Sequence, residues 1–346
     1  MIDVLLVDDS ATSLILLKSI LESDPTIRVT ATARDGLEAI ECVHRKRPDL
    51  IVMDINMPRL DGYEATQRIL QIYPIPIVIC SGAWKSPEAV QSFKAIDVGA
   101  VTAISKPEGP GSPDYAATVA YFIRTIKAMS AVRVVRRVRQ LPIGGVCAEK
   151  ANFAQLMQRY RQQIDCVVMG ASTGGPPVLK EILGGLSPSL SFPIVIVQHI
   201  TIGFLEGMVA WLQPSVRLPI LIPQHRQAMQ PGCIYFGPDQ HHIGIQQGTI
   251  VLDTLRPPEH GLRPTVANLF FSAAEQYGKR AVGVLLTGMG ADGANELHKM
   301  RLQGALTVAQ DQESSLIYGM PGEAVKLGAA QLVLSPGEII TLLNGL

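Results

Sequence analysis

Short runs of Val, Ile and Leu alternate along this chain with stretches of helical spacing, and the alternation lapses once, between Met129 and Gln163. A strand buried on both faces reads as a continuous apolar run, and strands alternating with helices form a parallel sheet covered on both sides. The chain is therefore restricted to two α/β units, 1–128 and 164–346, joined by a linker over 129–163. In the first, strands are predicted at Val4–Val7, Val29–Ala33, Leu50–Met53, Ile77–Cys80 and Val101–Ile104. Helices are predicted at Ser13–Glu22, Gly36–His44, Tyr63–Ile72 and Pro87–Ile96. In the second, strands are predicted at Cys166–Met169, Ile194–Gln198, Ala281–Leu286, Ala305–Ala309 and Gln331–Leu334. The Gly- and Pro-rich segment 218–252, with its short strands, reads as an antiparallel insertion. Leu141-Pro142-Ile143-Gly144-Gly145 marks a break in the linker, and Ala151–Gln163 suits one short helix.

Composition narrows the classes of function. Hydrophobic residues make up 47% of the 346 residues, enough for two filled cores. Thirty basic residues balance thirty acidic ones, which argues against nucleic acid as a partner. Arg124–Gln140 holds six basic residues and no acid, and reads as a helix end entering a solvated linker. No apolar run approaches the ~20 residues of a membrane helix, so no membrane insertion is expected. A strand begins at Val4, which leaves no signal peptide. The five cysteines lack Cys-x-x-Cys spacing. Cys42, Cys80 and Cys166 lie in apolar stretches, as buried thiols do in a reducing cytoplasm.

In the first unit Asp8 and Asp9 follow the first strand, Asp54 the third, Ser81 the fourth and Lys106 the fifth. All five fall on one sheet edge. Three carboxylates there repel one another unless a hard cation sits among them, and Mg²⁺ suits a few carboxylates plus water. A lysine and a hydroxyl beside them would stabilise a transferred phosphoryl group. Asp54, in mid-sheet beside the metal, is the natural acceptor. The run Asp54-Ile55-Asn56-Met57-Pro58-Arg59-Leu60-Asp61-Gly62 resembles the signature of response-regulator receiver domains. The Asp8-Asp9 pair, Ser81 and Ser105-Lys106-Pro107 match the same family. The resemblance implies a flavodoxin-like parallel five-stranded sheet, bound Mg²⁺ and phosphorylation of Asp54 by a histidine kinase. Receivers usually carry an aromatic three residues before the lysine, and this chain has Ala103.

In the second unit Gly170-Ala171-Ser172-Thr173-Gly174 fits Gly-x-Ser-x-Gly, a strand-to-helix turn that exposes a hydroxyl. Glycine-rich turns after strands also cradle phosphates, but neither Gly-x-Gly-x-x-Gly nor a P-loop lysine is present. A serine nucleophile needs a base, and the base needs an orienting carboxylate. His199 ends a second strand and Asp292 follows a third, where open α/β sheets build their sites. The order Ser, His, Asp differs from that of α/β-hydrolases, so that fold is not expected. The turn carrying Met289 offers a backbone N–H to an oxyanion.

Gly170–Gly175, Gln198-His199, Leu286–Gly293, Ala309-Gln310-Asp311 and Gly319-Met320-Pro321 together resemble the catalytic domain of the chemotaxis protein-glutamate methylesterases, the CheB family. With a receiver in front, the resemblance spans nearly the whole chain. It implies a doubly wound, mainly parallel α/β domain that hydrolyses γ-glutamyl methyl esters on chemoreceptors and also deamidates glutamine there. It makes Ser172 the nucleophile, His199 the base and Asp292 the orienter, with backbone groups near Thr173 and Met289 facing the oxyanion. It implies no cofactor for the esterase. The family's Met-Pro-Pro after the histidine is Ile200-Thr201-Ile202 here. Its His-Arg-Pro-Ser-Val-Asp is Leu262-Arg263-Pro264-Thr265-Val266-Ala267.

Two other classes compete with a receiver-gated serine esterase. One is a non-catalytic module that only binds receptors, against which Ser172, His199 and Asp292 argue. The other is a regulator with a DNA-binding output, for which no basic recognition helix is visible.

Overall fold

The computed structural model describes residues 1–82, 88–132, 164–259 and 261–346. Contacts divide the chain into Met1–Val138 and Arg139–Leu346. The predicted break at 141–145, the predicted helix at 151–163 and the basic residues from Arg133 onward lie outside the described residues. Arg124 and Lys127 sit on the helix Tyr115–Ser130, which runs past the expected end of the first unit at 128.

The first unit holds β1 (Ile2–Val7), β2 (Ile27–Ala33), β3 (Leu50–Met53), β4 (Ile77–Ser81) and β5 (Thr102–Ser105). They form one parallel sheet in the order β2-β1-β3-β4-β5. All four residues of β3 are buried, as expected of a strand covered on both faces. The helices start where the sequence supplies caps. Ser10, Asp35 and Asp61 accept N–H groups of the first turns of Ala11–Glu22, Gly36–Arg45 and Gly62–Ile72. The strand order reverses between β1 and β3, and ligand sites of open α/β sheets form at such a switch point.

The second unit holds β6 (Cys166–Ala171), β7 (Ile194–Gln198), β8 (Ile220–Leu221), β9 (Ile234–Phe236), β10 (His242–Gln246), β11 (Thr249–Asp253), β12 (Ala281–Leu285), β13 (Leu306–Gln310) and β14 (Leu332–Leu334). Seven strands form a parallel sheet in the order β14-β13-β12-β6-β7-β9-β8. The antiparallel part is smaller than the 218–252 segment suggested. Among the described strands β10 and β11 pair antiparallel, with an isolated antiparallel bridge Ala228↔Thr249 beside them, whereas β8 and β9 extend the main sheet in parallel. Residues Ile234–Phe236 are all buried, so this short run packs as an interior strand and not as a hairpin arm. The order reverses between β6 and β12, the second switch point.

Cys80, Cys166 and Cys233 are buried free thiols, while Cys42, expected inside, is half-buried on its helix. Among the described residues no helix is long and apolar enough to cross a membrane.

Candidate functional site

In the first unit Asp8, Asp9, Asp54 and Lys106 meet at the C-terminal edge of the sheet, where Ser81 closes β4. Asp8, Asp9 and Asp54 each offer a carboxylate oxygen, all within 4.8 Å of one another. Lys106 Nζ lies 2.6 Å from Asp8 Oδ2 and 3.1 Å from Asp54 Oδ2. Lys106 N–H donates to the Ser81 carbonyl at 3.1 Å, which fixes the lysine across from the aspartates. Burial pushes the Asp54 carboxyl up to about 6, Lys106 pulls against this, and the Asp8 charge adds to it. Among the described residues, Lys106 thus undercompensates the cluster. Asp8 Oδ2 is buried and, apart from the ion pair, has no aligned hydrogen bond. That unsatisfied oxygen, and three acids against one lysine among the described residues, fit a divalent cation with oxygen ligands. Ala103 is half-buried in β5, opposite Ile79 of β4.

In the second unit β6 ends at Ala171 and Ser172 turns out of the sheet. Ser172 N–H donates to the Thr287 carbonyl at 3.0 Å, and the Ser172 carbonyl accepts Gly175 N–H at 2.8 Å. The chain then enters the helix Gly175–Gly184 through Gly174 at φ 80°. Ser172 keeps 8% exposure, and its Oγ forms no hydrogen bond among the described residues.

His199 follows β7. Its N–H donates to the Ala171 carbonyl at 2.8 Å, which holds it beside the serine turn. Its Nε2 lies 2.8 Å from Asp292 Oδ2. The nitrogen facing a carboxylate carries the proton, so Nδ1 is left to accept one.

Asp292 is the most fully partnered acid of the site. Oδ2 also accepts Val266 N–H at 2.7 Å, and Oδ1 accepts Ala267 N–H at 3.0 Å. These N–H groups open the helix Val266–Tyr277, whose positive end favours a carboxylate. Burial by itself raises the Asp292 carboxyl. The His199 hydrogen bond, the His199 charge and the two N–H groups outweigh it and hold the carboxyl below its ordinary value. The substitution at Ala267 therefore leaves this contact intact, because the backbone makes it.

The turn after β12 packs directly on the serine. A Cβ on Gly288 would lie 2.6 Å from Ser172 Cβ, so only glycine fits there. The Gly288 carbonyl accepts Gly319 N–H at 3.2 Å and Met320 N–H at 2.9 Å. A trans peptide points its N–H opposite its carbonyl, so Met289 N–H faces away from that anchor. Neither Thr173 N–H nor Met289 N–H has an acceptor among the described residues.

Sequence reasoning gave no role to the buried amides and hydroxyls behind this edge. Thr287 N–H donates to Gln310 Oε1 at 2.8 Å, and Thr287 Oγ1 lies 3.0 Å from the Thr173 carbonyl and accepts Ile317 N–H at 3.0 Å. Thr287 and Gln310 have no exposure. A polar residue closing an otherwise apolar strand was the available signal. Likewise Thr265, whose Oγ1 accepts Asn268 N–H at 3.3 Å, signals the unpredicted helix that holds Asp292. His242, in contrast, turns Nε2 to the Pro257 carbonyl and Nδ1 to Thr265, and stands apart from any metal cluster among the described residues.

A phosphoacceptor-like acidic edge on one parallel sheet and a Ser/His/Asp edge on another define a class: a receiver-type unit followed by a parallel α/β unit with a serine-esterase-like site. Residues 167–343 match the family model of CheB methylesterase, and residues 4–112 match the response regulator receiver domain. The chain belongs to the CheB methylesterase family. It is 44% identical over 100% of its length to a Geobacter metallireducens protein named protein-glutamate methylesterase/protein-glutamine glutaminase 4, covering 99% of that relative. A Nitrosospira multiformis protein named protein-glutamate methylesterase/protein-glutamine glutaminase is 47% identical over 100% of this chain and 97% of its own. Among solved structures, the Thermotoga maritima CheB methylesterase catalytic domain is similar over 52% of this chain and 97% of its own, with 32% identity and a TM-score of 0.50.

Proposed function

We propose that this chain is a protein-glutamate methylesterase, and a protein-glutamine deamidase at the same site, acting on methylated chemoreceptors under control of its receiver. The observation that carries the chemistry is the His199–Asp292 contact at 2.8 Å, held beside the Ser172 turn by the His199 N–H to Ala171 bond. Ser172 Oγ attacks the γ-carbonyl carbon of the glutamyl methyl ester while His199 Nδ1 takes its proton. Asp292 accepts Nε2–H, keeps the ring in that tautomer and stabilises its charged form. The negative oxygen of the tetrahedral intermediate meets the free N–H groups of Thr173 and Met289. His199 returns the proton to the methoxide oxygen, the C–O bond breaks and methanol leaves. Water, deprotonated by His199, then attacks the acyl carbonyl; His199 returns that proton to Ser172 Oγ, the acyl–Oγ bond breaks and glutamate leaves. Glutamine follows the same course with ammonia as the leaving group. The esterase needs no cofactor in this scheme.

In the receiver, Asp54 is the phosphorylated residue; Asp8, Asp9 and Asp54 would hold Mg²⁺, and Ser81 and Lys106 would stabilise the phosphoryl group. When bound, the cation neutralises charge on the phosphoryl oxygens. A chemotaxis histidine kinase is the donor. Neither nucleic acid nor membrane insertion enters this scheme, and the chain acts in the cytoplasm. The receiver ends near 128, and 129–163 links it to the esterase. The test is methanol release from methylated receptor membranes, with and without a small phosphodonor. No release in either condition, from folded protein, rejects the reading and favours a module that only binds receptors.

A further inference from the structure

The amide of Gln198 is buried directly beneath the serine turn, with 4% of the residue exposed. Its Nε2 donates to the Ser172 carbonyl at 2.9 Å and to the His199 carbonyl at 2.8 Å. Two facing carbonyls require a donor, which fixes the amide's orientation. Oε1 then points at Gly175, buried and without a donor. A Cβ on Gly175 would lie 2.1 Å from Oε1, so the serine turn and the amide are shaped for each other. One NH₂ group thus pins the segment that carries the nucleophile to the segment that carries the base.

The consequence runs through one peptide plane. The Ser172 carbonyl and Thr173 N–H belong to the same trans peptide and point in opposite directions. Anchoring the carbonyl inward turns Thr173 N–H outward. The Gly288 carbonyl is anchored by Gly319 and Met320 N–H, and its peptide turns Met289 N–H in the same manner. The second anchor is all backbone. The first depends on a side chain, alongside Gly175 N–H.

We infer that Gln198 is a positioning residue for ester hydrolysis: by holding the Ser172 carbonyl it aims Thr173 N–H at the oxyanion. This rests on the serine-esterase reading above. An oxyanion donor contributes mainly in the transition state, and its loss costs roughly 10²–10³ in kcat. A misplacement of about 1 Å costs about 10².

The test uses the full chain with Gln198→Met and Gln198→Glu, each checked by thermal melting, and methylated receptor membranes as substrate. Gln198→Met should lower kcat about 100-fold with KM little changed. The acid limb of the kcat/KM profile should stay in place, because the His199–Asp292 pair is untouched. Gln198→Glu opposes a carboxylate to two carbonyls. Its protonated form can donate again, so the ratio of its kcat to that of the wild type should rise as pH falls. A merely structural role predicts neither that ratio nor the intact acid limb. Wild-type kcat in Gln198→Met overturns the inference, as does a loss confined to KM or joined to a shifted acid limb. Should Gln198→Met not fold, a flat variant-to-wild-type ratio across pH for Gln198→Glu overturns it, and a rising ratio supports it. Ser172→Ala, measured in parallel, separates the two levels. Undiminished release from Ser172→Ala rejects the serine-esterase reading itself, whereas an inactive Ser172→Ala beside a fully active Gln198→Met rejects only the role of Gln198.

Discussion

Asp54, buried directly after β3, and Asp292, half-buried in the longer turn after β12, each lie beyond a strand beside a switch point, yet their carboxyls move in opposite directions. Asp54 is pushed up to about 6 because burial and the Asp8 charge outweigh Lys106. Asp292 is held below its ordinary value because His199 and two helix N–H groups outweigh its burial. Burial is the largest influence on both, so the difference comes from the partners. A completed set of donors makes a fixed negative charge, suited to orienting an imidazole. An incomplete set among like charges makes a site that still calls for a cation or a phosphoryl group. One sheet architecture hosts both chemistries by changing what surrounds a single carboxylate.

The sharpest way to break this contrast is at the serine itself. Ser172→Ala and His199→Ala should each reduce methanol release by roughly 10⁴-fold or more in kcat, with melting unchanged. Asp292→Asn should cost about 10⁴-fold, because an amide keeps the shape but fails to fix the imidazole tautomer. If Asp292→Asn retained most of its activity, its partnered charge would be a structural device only, and the contrast with Asp54 would lose its functional meaning.

On the receiver side, labelling of Asp54 by acetyl phosphate should require Mg²⁺ and vanish in Asp54→Asn, read by mass spectrometry. Phosphodonor should raise kcat/KM of the full chain by about 5–150-fold, the usual range of coupling free energies. Asp54→Asn should erase that gain without lowering the basal rate. Ala103 lacks the ring that receivers commonly move, so a gain at the lower end is expected. An equal rate with and without phosphodonor would uncouple the two sites.

The smallest effect expected is on stability. Asp292→Ala removes the acceptor of Val266 and Ala267 N–H and should lower the unfolding free energy of the second unit by about 1–3 kcal/mol in urea. The sign with pH follows from the lowered carboxyl. Its contribution is complete above the ordinary carboxylate range and is lost as pH falls through the folded value. The wild type should therefore approach Asp292→Ala in stability at acid pH. A constant gap down to strongly acid pH would show that the carboxylate is not what holds the helix end.

The sequence by itself determined the two parallel units, the strand ends that carry Asp8, Asp9, Asp54, Lys106, Ser172, His199 and Asp292, and the family. It could do so because a doubly covered strand must be an apolar run, and a turn beyond it must be polar or glycine-rich. Strand order is a different matter. Nothing local places β12 against one side of β6 and β7 against the other, because parallel neighbours are joined by long crossovers. That adjacency brings Asp292 to His199, packs Gly288 on Ser172 and sets the two switch points. The same limit hid the short parallel β8 and β9, whose Gly- and Pro-rich surroundings imitate a hairpin. It hid the helix end at Val266 and Ala267, whose role is carried by N–H groups that every residue but proline possesses. Residue identity fixes which chemistry is available, whereas which carboxylate gains enough donors to be stabilised is decided only when distant backbone groups converge on it.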